Sequence, residues 1–298
     1  MANDPSPLFK AERSGIAQPI TAPPVAIPHP LGINQGALIV VGTGKFLESD
    51  DIDPALQTTQ TFYAVWDRDA SPILSDTTVV GRGQMTETTI STSGGNRFIS
   101  SEADPDWIDS SGTPVQRGWF LDLPESGERM IRPAISRSGV IFFVTLIPSM
   151  APCVPGGTGF LMALDANTGG IPNPAQSSNP AVFDTNGDGV FDEFDEVGGD
   201  VVIGLEQGGI PAEPAVIFDP RPFCERFPTS SECDTDGDGV PDVAVGNVFP
   251  PPLNTFRGCG SDGTRIYLYT TTSNGNISSA SASMTSISCG RQAWRQIR

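Results

Sequence analysis

Short apolar runs, each the length of a β-strand, recur along this chain between polar turns and long loops. The most apolar runs lie at residues 37–41 and 140–147. Each is followed, after a loop, by an apolar and aromatic run that ends in aspartate, at residues 61–67 and 159–165. A similar run at 265–271 leads into a Ser-Asn-Gly-Asn turn. Runs of this length bounded by Gly, Pro and Asn predict β-strands.

The strand pairs repeat with variable insertions between them, which is typical of propeller blades, whereas a sandwich would show more even strand spacing. We therefore predict an all-β fold, a modified β-propeller with three or four blades. That is fewer than a closed ring usually needs, and we expect the chain to be a fragment. The polar residues 70–117 are expected to form outer strands of one blade or an insertion.

The domain prediction has two parts. Residues 1–30 are rich in proline and show no strand pattern, so they predict an extended lead-in. Residues 31–298 form the propeller region, with long loop insertions near 171–199 and 219–252. Long ordered loops are uncommon in compact domains unless they are functional or tied down.

Composition narrows the class of protein. The chain has 298 residues, of which 38% are hydrophobic, so it can bury a sizeable core. Its formal net charge of −18 opposes binding to nucleic acid and to anionic membranes but favours divalent cations. No apolar stretch approaches the ~20 residues of a membrane helix, and residues 1–7 do not resemble a signal peptide.

Residues 184–195 have the spacing of a calcium loop, in which alternate residues point oxygen atoms inward around a tight turn at Gly189. Asp195 stands at the twelfth position in place of the usual glutamate. The alternative is a solvated acidic turn. The window holds five carboxylates and neither Lys nor Arg, and this repulsion favours a bound cation. The predicted Ca²⁺ ligands are Asp184, Asn186, Asp188, Val190 through its carbonyl, Asp192 and Asp195.

A second copy at 234–242 is expected to bind calcium more weakly, because its twelfth position is Val245 and Pro241 stiffens the loop. A solvated turn remains an alternative here. Glycines or prolines follow both loops, so they are predicted to lie on a β scaffold and not in paired EF-hands. The predicted ligands of the second loop are Asp234, Asp236, Asp238, Val240 and Asp242.

The cysteines suggest an oxidising compartment. Their spacings fit neither a zinc site nor a Cys-x-x-Cys redox motif. We predict the disulfides Cys224–Cys233 and Cys259–Cys289, which leave Cys153 as a buried thiol. Disulfides in a chain without an export signal again suggest a missing N-terminal portion.

Catalytic motifs are absent from the sequence, and we predict no enzyme activity. His29, the one histidine, is expected to be exposed and inert in the lead-in. The Gly42-Thr-Gly44 turn lacks the third glycine of a nucleotide-binding turn and is read as a bulge or blade turn. Residues 163–169, Ala-Leu-Asp-Ala-Asn-Thr-Gly, resemble one turn of quinoprotein dehydrogenase blades, but the repeated Trp turn of that family is missing.

Six phrases in order resemble the C-terminal propeller of the PilY family of type IV pilus assembly and tip proteins. They are Gln18-Pro-Ile-Thr-Ala-Pro-Pro24, Val41-Gly-Thr-Gly-Lys-Phe-Leu47, Phe62-Tyr-Ala-Val-Trp-Asp67, Gly118-Trp-Phe-Leu-Asp-Leu-Pro124 with Gly127-Glu-Arg129, Thr145-Leu-Ile-Pro-Ser149 and Gly290-Arg-Gln-Ala-Trp-Arg-Gln296.

The resemblance implies a large modified, quinoprotein-like β-propeller in an exported protein of the pilus tip, cell surface or outer envelope. It implies pilin or minor pilins as partners. It also implies that calcium at the Asp184–Asp192 loop regulates pilus extension and retraction, and with them surface attachment. The first alternative is a secreted, calcium-stabilised adhesion module unrelated to pili. The second is a quinoprotein dehydrogenase-like propeller.

Overall fold

The fold is built from β-strands joined by loops and short 3-10 turns. The computed structural model describes residues 7–68, 79–137, 139–150, 156–172, 181–187, 191–218, 264–273 and 277–284. Its strands are β1 (Glu12–Arg13), β2 (Ile16–Ala17), β3 (Val25–Pro28), β4 (Ala37–Gly42), β5 (Thr61–Asp67), β6 (Thr86–Ser93), β7 (Asn96–Ser101), β8 (Gly118–Asp122), β9 (Ile135–Arg137), β10 (Val140–Val144), β11 (Ile147–Pro148), β12 (Gly157–Asp165), β13 (Gly204–Gly208), β14 (Ala215–Phe218), β15 (Thr264–Thr271) and β16 (Ile277–Met284). The 3-10 turns span Ile33–Gln35, Ser49–Ile52, Pro54–Leu56, Arg82–Gln84 and Glu193–Asp195.

Two four-stranded antiparallel meanders form the centre of the molecule. The first meander has the strand order β3-β4-β5-β8, and the second has the order β9-β10-β12-β13. A meander of four strands is the unit of a propeller blade. The strand pairs predicted from the sequence are thus confirmed as the antiparallel pairs β4–β5 and β10–β12, each at the centre of a meander.

A hairpin of β6 and β7 joins the two meanders into one larger sheet. Strand β6 pairs in parallel with β8 of the first meander, and β7 pairs antiparallel with β13 of the second. Strands β3 and β9, at the two ends of the sheet order, contact each other. The sheet therefore nearly closes on itself. Strands β14, β15 and β16 form a separate antiparallel sheet.

Strand β5 of the first meander is buried on both faces, which explains why Thr61–Asp67 is a continuous apolar run. Phe62, Ala64 and Trp66 belong to the main core, whereas Tyr63 and Val65 belong to a smaller cluster on the opposite face. This division follows from the period of two along a strand. The smaller cluster is covered by residues 8, 9 and 11.

Aromatic rings join the two meanders. The rings of Phe62 on β5 and Phe143 on β10 stack with their centroids 4.1 Å apart, and both side chains are fully buried. Trp119 on β8 lies 5.7 Å from Phe62, centroid to centroid, and its indole N–H donates to the carbonyl of Ala166 in the turn after β12. In that turn a Cβ at Gly169 would collide with the Trp119 ring, and its φ of 74° also favours glycine.

The two meanders repeat one local detail after their most apolar strands. Thr43 exchanges two hydrogen bonds with Thr61: its N–H donates to the Thr61 carbonyl, and its Oγ1 accepts from the Thr61 N–H. Thr145 makes the same two bonds with Phe160. Each threonine therefore extends the pairing beyond the end of the strand by using its side chain in place of a backbone carbonyl.

A short segment, Arg129–Met130, crosses both threonine turns and ties them together. The Met130 N–H donates to the Thr43 carbonyl, while Arg129 exchanges two backbone hydrogen bonds with Leu146. Cβ atoms at Gly42 and Gly44 would collide with Met130 and Arg129 respectively. The Gly42-Thr-Gly44 turn thus serves close backbone packing, in agreement with a structural reading of this motif.

A buried ion pair fixes Glu128, the residue directly before this segment. Both guanidinium nitrogens Nη1 and Nη2 of Arg97 donate to the Glu128 carboxylate, at 2.6 and 2.8 Å, and neither side chain is exposed. The Arg97 guanidinium also lies 3.5 Å from the ring centroid of Phe160. Removing one partner would leave a buried charge unpaired, which costs ~3–5 kcal/mol.

The lead-in differs from the prediction. Strand β3 lies within residues 1–30 and pairs with β4 along its whole length. His29 is buried, not exposed as predicted: its ring stacks on Trp66 at 4.2 Å and meets the edge of Trp107 at 4.6 Å. Burial lowers the pKa of His29 to about 4. The neutral imidazole packs as an aromatic ring, a role that its proline neighbours do not reveal.

A polar network attaches the rest of the lead-in to the first meander. The Asp122 carboxylate accepts hydrogen bonds from Arg82, Thr61 and Arg13. Burial opposes ionisation of Asp122, but these bonds outweigh it and the pKa of the carboxyl is lowered. The Gln18 amide bridges Tyr63 and Thr61.

Over the described ranges, no helix is long and apolar enough to cross a membrane.

The ring stack predicts a large and specific loss of stability. Substituting Phe62→Ala should lower the free energy of unfolding by ~3–5 kcal/mol, because the cavity would lie between two meanders that cannot both collapse onto it. Denaturant unfolding measures this change. Leu47→Ala is the control, since Leu47 is 78% exposed and its truncation should change stability by less than ~0.5 kcal/mol. Equal effects of the two substitutions would contradict the proposed role of the stack.

Candidate calcium loop

The first predicted calcium loop is anchored in the core at both ends. Residues 181–183 precede it and residues 201–203 follow it, and all six side chains are buried. The carbonyl of Ile203 accepts a hydrogen bond from the Ala163 N–H of β12. The loop between these anchors therefore projects from the second meander with its ends fixed relative to the sheet.

Four of the six predicted ligands of this loop lie in the described part of the chain, namely Asp184, Asn186, Asp192 and Asp195. Asp188 and Val190 lie outside it, as do the whole second loop at 234–242 and the five cysteines. The second loop and the two disulfides stay predictions.

Asp195 closes the loop. Its side chain is 2% exposed. Oδ1 accepts the Thr185 N–H at 2.7 Å and Oδ2 accepts the Asp192 N–H at 3.2 Å, so one carboxylate spans the two ends of the loop. The hydroxyl of Thr185 donates in return to the Asp195 carbonyl at 2.9 Å. Burial raises the pKa of Asp195, and the nearby charge of Asp184 contributes in the same direction.

Two further carboxylates shape the turns on either side. Asp192 caps the 3-10 turn Glu193–Asp195: its Oδ1 accepts the Phe194 N–H at 2.9 Å. Asp184 Oδ1 accepts the Gly187 N–H at 2.7 Å, and the φ of Gly187 is 78°. Asp192 and Asp195 form a capping box, in which each side chain satisfies a backbone N–H of the other residue. The capping box orders the C-terminal end of the loop, and the Asp184–Gly187 hydrogen bond orders the turn at its N-terminal end.

The donor set suits a hard cation. Carboxylate and amide oxygens are the ligands that Ca²⁺ takes at 2.3–2.6 Å. Among the described residues no group of three or more His, Cys, Asp or Glu side chains is close enough to hold a metal. The described carboxylates of this loop instead accept backbone N–H groups. An ionised carboxylate can accept several hydrogen bonds and still offer a lone pair to a cation, so these contacts are compatible with calcium binding.

Sequence reasoning assigned Asp195 as a ligand but missed its role in closing the loop. The signal that could have found it is the Asp192-x-x-Asp195 spacing, since a side chain three residues after an N-cap can reach back to the cap. The partner at Thr185 could not be found in this way, because that contact depends on the path of the loop.

Loss of the Asp195 carboxylate should open the loop locally. In Asp195→Ala the N–H groups of Thr185 and Asp192 lose their acceptors, so their amide hydrogen exchange should accelerate at least about tenfold, as expected for hydrogen bonds worth ~1–3 kcal/mol. Exchange followed residue by residue by NMR measures this. Glu193→Ala removes an exposed carboxylate from the same turn and should leave both amides protected. Unchanged protection in Asp195→Ala would show that the loop is closed by other contacts.

The comparisons with known proteins point to one family. Residues 3–103 match a family model described as the PilY1 beta-propeller domain, and the match begins within the predicted lead-in. The type IV pilus biogenesis factor PilY1 of Pseudomonas aeruginosa strain UCBPP-PA14 is 30% identical over 225 residues, which cover 69% of this chain and 19% of that protein. A PilY1 homologue from Xylella fastidiosa is 33% identical over 174 residues, or 55% of this chain and 13% of that protein.

The fold comparison agrees. The crystal structure of the Pseudomonas aeruginosa PilY1 C-terminal domain matches with a TM-score of 0.59 and 26% identity, and the match covers 72% of this chain and 44% of that one. The chain spans about a fifth of the length of the Pseudomonas relatives. These findings confirm the all-β propeller predicted from the sequence. With sequence, family model and fold in agreement, this chain is a homologue of PilY1 that carries a PilY1 β-propeller domain.

Proposed function

We propose that this chain is a calcium-binding β-propeller region that acts in type IV pilus biogenesis, with calcium regulating pilus extension, retraction and surface attachment. The observation that supports the pilus role is its similarity to PilY1, which is named as a type IV pilus biogenesis factor. The relatives carry that name and not the name of an enzyme. Pilin or minor pilins are the proposed partners, and the proposed location is the pilus tip, the cell surface or the outer envelope.

The calcium part of the proposal rests on the loop at 184–195. Asp184, Asn186, Asp188, Asp192 and the Val190 carbonyl would supply the oxygens, and Asp195 would add one from the position where it closes the loop. Calcium would offset the repulsion among the carboxylates.

The anchored ends confine any rearrangement to the loop itself. Phe194 lies within the loop and is 72% exposed, and Val197 after it is 41% exposed. The Phe194 N–H is held by Asp192, a proposed ligand. Calcium binding at Asp192 would therefore change the setting of an exposed apolar residue. This is a local charge change that would switch a contact with a pilus component.

Calcium affinity tests the site. The double substitution Asp184→Ala with Asp188→Ala should weaken calcium binding at this loop at least about a hundredfold, because it removes two of the charged ligands on which affinity depends. Isothermal titration calorimetry measures the change. The control Asp50→Ala with Glu213→Ala removes two exposed carboxylates elsewhere and should leave the affinity intact.

A corresponding pair, Asp234→Ala with Asp238→Ala, would assign any second binding event to the second loop. If the Asp184→Ala, Asp188→Ala protein bound calcium with undiminished affinity and stoichiometry, the assignment of the first loop would be wrong.

Pilus counts test the function. Deleting the gene should reduce the number of surface pili seen by electron microscopy, and the intact gene should restore it. A gene with Asp184→Ala and Asp188→Ala should restore the pili incompletely or make their number insensitive to calcium, whereas Glu193→Ala should restore normal behaviour. Normal pilus numbers after deletion would favour a secreted adhesion module that calcium only stabilises.

A further inference from the structure

A cleft beside Gly44 is lined by two residues that each carry a buried polar atom without a hydrogen-bond partner in the described part of the chain. The cleft has a volume of about 200 Å³. Its lining includes Arg129, Gln60, Gly44, Lys45, Pro19 and Leu56. Neither the calcium loop nor its neighbours contribute to it.

The first of these atoms is on Arg129. The side chain is 1% exposed. Nε donates to the Gly127 carbonyl at 2.9 Å and Nη1 to the Lys45 carbonyl at 2.8 Å, but Nη2 has no hydrogen-bond partner in the described part of the chain. Both partners are neutral. A buried guanidinium is normally paired with an anion, because the desolvated charge is otherwise costly.

The nearby charges do not supply that anion. Lys45 lies beside Arg129 and donates to Glu48 at 2.7 Å, and it lies 3.3 Å from Asp51. The Asp51 carboxylate also accepts the N–H groups of Leu47 and Glu48. These two acids are thus already engaged by Lys45 and the backbone. Over the described residues no carboxylate lies within 4.0 Å of the Arg129 guanidinium. Burial lowers the pKa of Arg129, although the charge of Asp51 opposes this shift.

The second atom is Oε1 of Gln60, whose side chain is 4% exposed. The Gln60 amide nitrogen donates to the Thr58 carbonyl at 2.9 Å, which fixes the orientation of the amide and leaves Oε1 as the free acceptor. The cleft therefore lacks an anionic acceptor for Arg129 and a hydrogen-bond donor for Gln60. Its lining by Pro19 and Leu56 adds apolar surface.

We propose that this cleft binds a carboxylate that carries an N–H or O–H donor on the adjacent carbon. The carboxylate would accept from Nη2 of Arg129, and the donor would satisfy Oε1 of Gln60. Two sources share this chemistry: the C-terminus of a peptide, which pairs a carboxylate with an amide N–H, and a 2-hydroxy acid. At about 200 Å³, against ~30 Å³ for each water in the liquid, the cleft has room for one small residue.

NMR of the full chain tests the site with two probes and a control. N-acetylglycylglycine supplies the peptide terminus and glycolate the 2-hydroxy acid, while N-acetylglycylglycinamide lacks the carboxylate. Either carboxylate probe should shift the side-chain signals of Arg129 Nε–H and the Gln60 amide, and the amide control should not. Shifts with only one carboxylate probe would identify the source of the ligand and support the site.

Matched variants test the two-point recognition. Gln60→Leu should weaken binding about five- to tenfold, the loss expected when one hydrogen bond to a buried group is removed. Gln35→Leu makes the same change at a residue that does not line the cleft and should leave the affinity unchanged. Gln60→Leu is chosen because Arg129 also supports two backbone carbonyls, so its truncation could unfold the protein.

Three results would overturn the proposal: no shift with either carboxylate at high millimolar concentration, equal binding of the amide control, or unchanged affinity in a folded Gln60→Leu protein. The first result would mean that water alone satisfies the two buried atoms, and the other two would mean that binding does not depend on the proposed contacts. The calcium and pilus experiments do not involve this cleft, so either proposal can fail without the other.

Discussion

The fold depends on the packing of one meander against the other through aromatic rings. Each meander presents an apolar face that it cannot bury alone, and the stack of Phe62 on Phe143 lies where the two faces meet. The segment Arg129–Met130 then holds the two meanders in register by hydrogen bonds to a threonine turn of each. Glycine is required where this segment crosses the first turn, because any side chain there would occupy the space of Met130 or Arg129.

Two buried arginines, one in this segment and one on β7, differ in how their charge is compensated. Arg97 pairs with Glu128 in the core, and its charge is fully compensated. Arg129, the residue directly after Glu128, donates to neutral carbonyls. The two buried guanidinium groups therefore have different roles. That of Arg97 stabilises the junction of β7 with the loop after β8, whereas that of Arg129 leaves a donor available to a ligand.

The loop at 184–195, which is proposed to bind calcium, has fixed ends. Buried residues on both sides keep the ends of the loop fixed, and Asp195 closes it with backbone hydrogen bonds. The cost of gathering several carboxylates remains, and a cation would relieve it. The described ends of the loop are therefore ordered by contacts within the protein itself.

Much of the fold could be predicted from the sequence. The apolar runs at 37–41, 61–67, 140–147 and 159–165 correctly indicated strands, because burial on both faces makes such runs continuous. Strand β3 was missed because Pro28 and the prolines around the strand conceal a short edge strand, where a missing N–H is tolerated. The prediction that His29 is exposed was wrong. Its burial depends on the indoles of Trp66 and Trp107, which lie 37 and 78 positions further along the chain.

Alone, the sequence determined the strand-forming segments, the acidic calcium spacing and the resemblance to the PilY family, since these depend on local periodicity, residue type and order along the chain. Only the tertiary structure decided that Asp195 closes its loop, that Glu128 neutralises Arg97 and that Arg129 and Gln60 meet in one cleft. These relationships join residues far apart in sequence. Their chemistry depends on burial and distance, which are set by how the two meanders pack and cannot be read from either meander alone.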